Sequence, residues 1–493
     1  MRNSMTSNWS AGGSRHPVTG RRPRRSVRLS PALINVVGLM LLVFFMGGSS
    51  RPDVWSLPIL RPIAILSLFY GLWSLSLEEV ARHRFLFGMA AAIVALIVAH
   101  LIPLPPFIWT ALSGRDIIVG IDTAAGLVGI WRPISMAPEL TWNALFSLTI
   151  PLAILVNGVR LSAAEHRTVM MAILIGGALS MALAMLQIAG GGDPIFYLYR
   201  SSSFGEPSGL FANRNHEALF IAALLPLLGF LLATRIRTSR RGDATRFLAF
   251  AGLLLAIAFL VVVGSRAGLV AGLIGLISFI LISTLSNNRR DRRPISRAQV
   301  IAGVGATVVI GIIVAWAIAV GSATSIQRLA DNDNRGELRY VIWPTIRDAL
   351  PGFMPAGTGI GTYERVFRIM EPDAILRPTY SNHAHNDWLE VVLTGGAPGV
   401  LLLAVAAIGF LIAAVRVCSR TPPGAARAAG WMGLVIIFMT AIGSIIDYPL
   451  RAPILSALFA LSCVWVSSSL RSNWNRGEVV PDRPDVFKGQ VRT

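Results

Sequence analysis

FLAFAGLLLAIAFLVVVGSRAGLVAGLIGLISFILIS, residues 247–283, holds two apolar runs joined only by Gly264-Ser265-Arg266. Each run is long enough for a helix to cross a hydrocarbon core, which takes about 17–25 predominantly apolar residues. The same pattern recurs along the chain. Of 493 residues, 54% are hydrophobic and 14% charged, whereas a soluble domain carries about 25% charge. The composition rules out a soluble surface, and the fold class it implies is all-α, a polytopic integral membrane protein.

Twelve apolar stretches qualify as spans: 32–48, 57–76, 85–102, 140–157, 168–188, 215–233, 247–264, 267–285, 299–320, 390–415, 428–446 and 450–470. They define a transmembrane domain over 31–470, between a basic tail at 1–30 and a second tail at 471–493. Both tails are rich in Arg, Ser, Gly and Pro, a composition that does not build a packed core. The first block follows Arg21, Arg22, Arg24, Arg25 and Arg28 and is read as a retained anchor rather than a cleaved signal peptide.

Net charge is +19, from 44 basic and 25 acidic residues, and the single lysine is Lys488. With a cytoplasmic N-terminus, 29 of the 44 basic residues fall in the segments on that side, as the positive-inside rule requires. Both termini are then expected in the cytoplasm. Because the basic charge lies between apolar blocks, it is a topology signal and not a nucleic-acid footprint. Cys418 and Cys463 suggest neither a disulfide framework nor a zinc site.

Two long loops are expected on the opposite face. The 103–139 loop carries Pro103, Pro105, Pro106, Trp109 and Trp131, as suits segments lying at a membrane interface. The other, 321–389, ends in the densest polar cluster of the chain, Ser381-Asn382-His383-Ala384-His385-Asn386-Asp387-Trp388-Leu389-Glu390. If a helix begins near Asn386, then His383, Asp387 and Glu390 share one face, with His385 at its mouth. An imidazole there can accept a hydroxyl proton near neutral pH, oriented by a carboxylate. The His-Ala-His spacing also permits a metal with Asp387 as third ligand, but no HExxH or DxD motif supports it. No cofactor is expected.

Arginine recurs where the membrane makes charge costly. Arg266 sits in the short Gly264–Gly268 turn, Arg214 and His216 open the sixth span, and Arg335 and Arg339 lie in the large loop. Positive charge on the translocated side opposes the topological preference. Several guanidinium groups facing one cavity suit a diphosphate, whose oxygens the planar fork binds bidentately. The loop Gly357-Thr358-Gly359-Ile360-Gly361-Thr362-Tyr363 could add backbone N–H donors, and Tyr363 is a further candidate site residue.

These motifs, in this order and topology, resemble the O-antigen ligase and O-antigen polymerase superfamily: Gly209 to His216, Ser265-Arg266-Ala267-Gly268, Arg339 to Trp343, Gly357 to Gly361, and His383 to Asn386 with Gly396 and Gly399. The resemblance covers about 205–465. It implies a glycosyltransferase of the bacterial inner membrane, active on the periplasmic face. The implied donor is an undecaprenyl-diphosphate-linked glycan. The implied acceptor is lipid A-core or a growing polysaccharide, as in lipopolysaccharide or exopolysaccharide biosynthesis. By the same resemblance His385 with Asn386 is the catalytic base and Arg266 and Arg339 hold the diphosphate, with His383 an additional candidate. Arg214 stands where the family often has Pro, and Gly399 where ligases often have Thr.

The expected mechanism is inverting and metal-independent, with arginines taking the part of a divalent ion. A lipid-linked glycan flippase would share the spans and cavity arginines but would not need His385 as a base. A scaffold for envelope assembly would tolerate both His385→Ala and Arg266→Ala.

Overall fold

The computed structural model describes residues 29–200, 204–234, 240–284, 334–376 and 381–471, the side chains of 240–243 and 334–340 excepted. The predicted ninth span (299–320), the first part of the large loop and nearly all of both tails lie outside the described residues.

Helices α1 (Pro31–Met46), α2 (Leu57–Trp73), α3 (Leu77–Arg82) and α4 (Arg84–Leu101) open the fold. The 103–139 loop then forms α5 (Pro106–Trp109) and α6 (Asp116–Ala124), tied by a short antiparallel ladder pairing Pro103 with Pro133 and Leu104 with Arg132. Next come α7 (Pro138–Ser147), α8 (Thr149–Gly158), α9 (Ala163–Ala189), α10 (Arg214–Ala233), α11 (Arg240–Val263) and α12 (Arg266–Thr284). The large loop contributes α13 (Asn334–Ala349) and α14 (Tyr363–Met370). Helices α15 (Asp387–Ser419), α16 (Ala425–Ile446) and α17 (Pro453–Ser469) close the chain.

Among the described residues, 8 segments are long and apolar enough to cross a membrane, α7 and α8 counting as one, and α1, α2 and α17 are shorter apolar helices. The protein is thus a helical membrane protein, and each predicted span that falls in the described residues is a helix. The last begins later than the predicted 450, because Pro449–Arg451 forms a 3-10 turn before Pro453.

Helix starts follow local chemistry. Ser76 with Glu79, and Ser162 with Glu165, form capping boxes at α3 and α9, satisfying amide donors that the first turn leaves over. At the other end of the bundle, Asn213 and Asn386 cap α10 and α15 through side chains that accept from Asn215 N and Leu389 N.

Beyond its polar first turn, helix α10 is apolar all round, and 94% of its span is buried, as befits a helix at the centre of a bundle. It packs on α9, α11, α12 and α16. Close approach to α12 depends on small residues: a Cβ on Gly275 would sit 2.8 Å from the Ala222 carbonyl oxygen, and one on Gly268 would sit 2.3 Å from Ala218 Cβ. In lipid, where apolar burial gives helices little reason to associate, such contact is a main source of cohesion. Helix α15, by contrast, exposes Leu401, Ile408, Leu411 and Val415, an apolar face suited to lipid.

A kink divides α15. Gly396 takes φ 60° inside the helix, and a Cβ there would lie 2.3 Å from the Pro355 carbonyl oxygen. The Gly357–Gly361 loop lies in this kink, with Thr358 N donating to Leu393 O (3.1 Å), Gly359 N to Thr394 O (2.8 Å) and Ala397 N to Pro355 O (2.8 Å). The fully buried Arg115 donates to the Gly357 and Ile134 carbonyls, joining the 103–139 loop to the same junction.

Candidate active site

The ends of α10, α12, α15, α16 and α17 meet around residues 381–386. His385, just before the Asn386 cap, has φ 50°, a left-handed conformation uncommon for a residue with a side chain. The two histidines of this segment face different carboxylates. His383 Nδ1 lies 3.3 Å from both oxygens of Glu390, and His385 Nδ1 lies 3.6 Å from Asp447 Oδ1.

Asp447 ends α16 and gathers the neighbouring helix termini. Its Oδ2 accepts from Asn215 Nδ2 at 2.9 Å and Asn213 Nδ2 at 3.3 Å, while Oδ1 lies 3.8 Å from His216 Nε2. Ser265 Oγ donates to Asn215 Oδ1 at 2.8 Å, so α12 joins the network through the residue before Arg266. Burial disfavours the Asp447 charge, yet the adjoining His385 and His216 hold its carboxyl well below the usual range. The segment leading to Asn213 is fixed by Gln187, whose Oε1 accepts from Ser208 N and Gly209 N, both at 2.9 Å.

The Tyr448 ring packs against three imidazoles, its centroid 4.4 Å from that of His383, 4.9 Å from His385 and 5.3 Å from His216. Burial and the Asp447 charge push its hydroxyl well above the ordinary tyrosine range. Tyr448 is therefore neutral at working pH, a wall for the imidazoles and not a base. Arg451 binds two carboxylates, with Nε 3.1 Å from Asp387 Oδ1 and Nη2 3.0 Å from Glu390 Oε1. Burial opposes its charge, but these two acids raise its affinity for the proton further.

Exposure separates the histidines. The His385 side chain is 30% exposed, that of His383 14% and that of His216 2%. If Nδ1 of His385 carries the proton facing Asp447, its Nε2 has a free lone pair. His385 is thus the imidazole of the three most open to an incoming hydroxyl.

The other expected residues fall as follows. Asn386 is a cap, and Asp387 faces Arg451. Tyr363 is buried, stacked on Phe367, with its hydroxyl 3.3 Å from Ser381 Oγ, which donates to the His383 carbonyl at 2.9 Å. Arg266 is the exposed first residue of α12. Arg214, the buried first residue of α10, lies 3.4 Å from Glu206. Arg335 and Arg339 are on the first turns of α13, where side chains lie outside the described residues. One turn after Arg339, Trp343 Nε1 donates to the Ala384 carbonyl at 2.9 Å, fastening α13 to the histidine segment.

One expectation is corrected, and the three residues of the alternative metal reading are placed apart. The Gly357–Gly361 amides do not form a ligand cradle: those of Gly357, Thr358, Gly359 and Ile360 donate to Phe353 O, Leu393 O, Thr394 O and His100 Nδ1. His383, His385 and Asp387 do not share a ligand set, each facing a different partner, and among the described residues no three His, Cys, Asp or Glu side chains group as a metal site. Sequence reasoning missed Asp447, Tyr448 and Arg451. The predicted span 450–470 absorbed Arg451, although an arginine in a short turn at a membrane boundary is the signal that singled out Arg266.

Residues 251–404 match the family model described as O-Antigen ligase, and no curated protein matches the chain. The matched stretch holds Ser265, Arg266, α13, the glycine loop, both histidines, Asp387 and Glu390, while Arg214, His216 and the Asp447–Arg451 turn lie outside it. This helical membrane protein is thus similar, over residues 251–404, to the O-antigen ligase family.

Proposed function

We propose that the chain transfers a glycan from undecaprenyl diphosphate to an acceptor hydroxyl, with inversion and without a metal, on the periplasmic face of the bacterial inner membrane. Glycosyl transfer of the ligase type is what the matched domain supports in general. The observation that carries it is the His385–Asp447 pair, an accessible imidazole backed by a buried carboxylate at the mouth of the bundle.

His385 Nε2 takes the proton of the acceptor hydroxyl as its oxygen bonds to the anomeric carbon. The bond from that carbon to the diphosphate oxygen breaks, and undecaprenyl diphosphate leaves with the electron pair. Asp447 holds the imidazole in the tautomer with Nδ1 protonated and stabilises the imidazolium that forms. Arg266, with Arg339 and Arg335 of α13, balances charge gathering on the leaving diphosphate. Arg214 has Glu206 as a neighbour and is assigned to shaping the donor site.

The acceptor is lipid A-core for a ligase, or a growing O-antigen or exopolysaccharide chain for a polymerase. The test is purified protein in nanodiscs with an undecaprenyl-diphosphate oligosaccharide, EDTA, and lipid A-core added or omitted. Product that requires lipid A-core makes the chain a ligase, and lengthened carrier-linked glycan without it makes a polymerase. Product formation by His385→Ala at the wild-type rate overturns the base assignment, and the absence of either product with wild type favours a flippase.

A further inference from the structure

At the opposite end of α17, about 25 Å along the helix from Arg451 at 1.5 Å per residue, three chain segments enclose a small cavity. It is bordered by Arg82 and His83 before α4, Leu161 and His166 around the α8–α9 turn, and Ser468 and Arg471 at the end of α17. Its volume is about 30 Å³. One water needs about 10–15 Å³ on this scale, so the space admits a tetrahedral oxyanion but no sugar ring.

Among the described residues, the charge around it is unbalanced. Arg82 pairs with Glu78, whose side chain is 80% exposed, and an exposed pair of this kind holds its partner weakly. The other nearby acids are engaged as helix caps: Glu79 Oε2 accepts from Ser76 N at 2.8 Å, and Glu165 Oε2 from Ser162 N at 2.8 Å. Burial, and then the nearby Arg82 and Arg84, disfavour the charge of Arg471. On the same turn, Arg160 Nη1 is buried with no hydrogen-bond partner among the described residues. The histidines add no balancing charge. His83 Nδ1 is 2.7 Å from Ser467 Oγ, and burial with the neighbouring arginines pushes its pKa down to about 4. His166 Nδ1 accepts from Trp465 Nε1 at 3.3 Å, and since an indole only donates, that nitrogen carries no proton.

We propose that this cavity is an anion site that takes a phosphate oxyanion between Arg82 and Arg471. Its source is the headgroup of an anionic phospholipid or soluble phosphate. Basic pockets between helices at the cytoplasmic end of a bundle suit lipid phosphates, and all three bordering segments are those that the arginine distribution assigns to the cytoplasm. A bound phosphate would clamp α4, the α8–α9 turn and the end of α17 together. The site is remote from the reacting groups, so its occupancy is read independently of glycosyl transfer.

The experiment follows thermal unfolding of the full-length protein in detergent as phosphatidylglycerol, phosphatidylcholine or inorganic phosphate is added. The expected result is a rise in midpoint of about 3 °C with phosphatidylglycerol near saturation, a smaller one with phosphatidylcholine, and none in an Arg82→Gln/Arg471→Gln double variant. Arg347→Gln, an exposed change on α13, keeps the wild-type response. An equal rise with inorganic phosphate upholds the site and assigns it to the soluble anion. Native mass spectrometry gives a second reading, with one fewer retained phosphatidylglycerol on the double variant. The proposal is overturned if neither anion moves the wild-type midpoint, or if the double variant responds and retains lipid as the wild type does.

Discussion

Asp447, at the end of α16, touches the start of α10 and two imidazoles through one carboxylate, which makes its chemical and its architectural parts separable by substitution. Asp447→Asn keeps the shape and the capacity to accept from one asparagine but removes the charge that fixes the His385 tautomer. In transfer assays kcat should fall by about 10²–10⁴ with KM for the donor little changed, and His385→Ala combined with it should cost scarcely more than either alone. Additive losses would mean that the two residues do not act as a unit.

Arg451 presents the opposite case, a cation whose value lies in the acids around it. Arg451→Gln leaves Asp387 and Glu390 as neighbouring carboxylates without their counter-ion, and breaking such a pair costs about 3–5 kcal/mol. The midpoint in detergent should drop by several degrees. Adding Glu390→Gln should recover part of the loss, because it removes the charge left uncompensated. No recovery would show that the arginine contributes by packing alone.

Among the elements, the kink in α15 sets where the histidine segment stands. Gly396→Ala meets both a left-handed backbone and the Pro355 carbonyl oxygen, and strain of that kind costs about 1–3 kcal/mol. The expected outcome is faster proteolysis or hydrogen exchange in 353–362, measured by mass spectrometry, with the α10–α12 contact unaffected. Equal protection in wild type and variant would detach the glycine loop from the kink.

The helices were readable from sequence because lipid imposes one rule on every span: its backbone must bond to itself and its side chains must be apolar. That rule is local, and runs such as 247–283 obey it visibly. The site was readable only where charge violated the rule in plain view, as at His383, His385 and Arg266. Arg451 sits beside Leu450 and Ala452 at the edge of a long apolar stretch, so a window average hides it. Asp447 reveals its part only when α16 ends beside α10, a pairing between residues 234 apart in sequence that no local pattern encodes.

At the scale of the whole molecule, the alternation of spans brings five helix ends to the candidate site, at one end of the bundle, and leaves the arginine-rich ends at the other. The bundle is thick at its middle, where α10 is wrapped, and thin where α4 and α15 face outward, buried over only 11% and 6% of their spans.

That difference bears on how the protein meets bilayers of unequal thickness. Residues 397–419 of α15 form a rod of about 35 Å at 1.5 Å per residue, somewhat longer than a hydrocarbon core of about 30 Å, and such mismatch is relieved by tilt. The non-helical Gly396 separates this rod from the turn that follows His383 and His385, so a lean of the rod about Gly396 would leave the two histidines in place. Transfer rates should therefore stay within about twofold between nanodiscs of shorter and longer acyl chains, and Gly396→Ala should make the rate depend on chain length. The hinge would in this way serve as a suspension, letting one catalytic geometry work across the changing lipid composition of a growing cell.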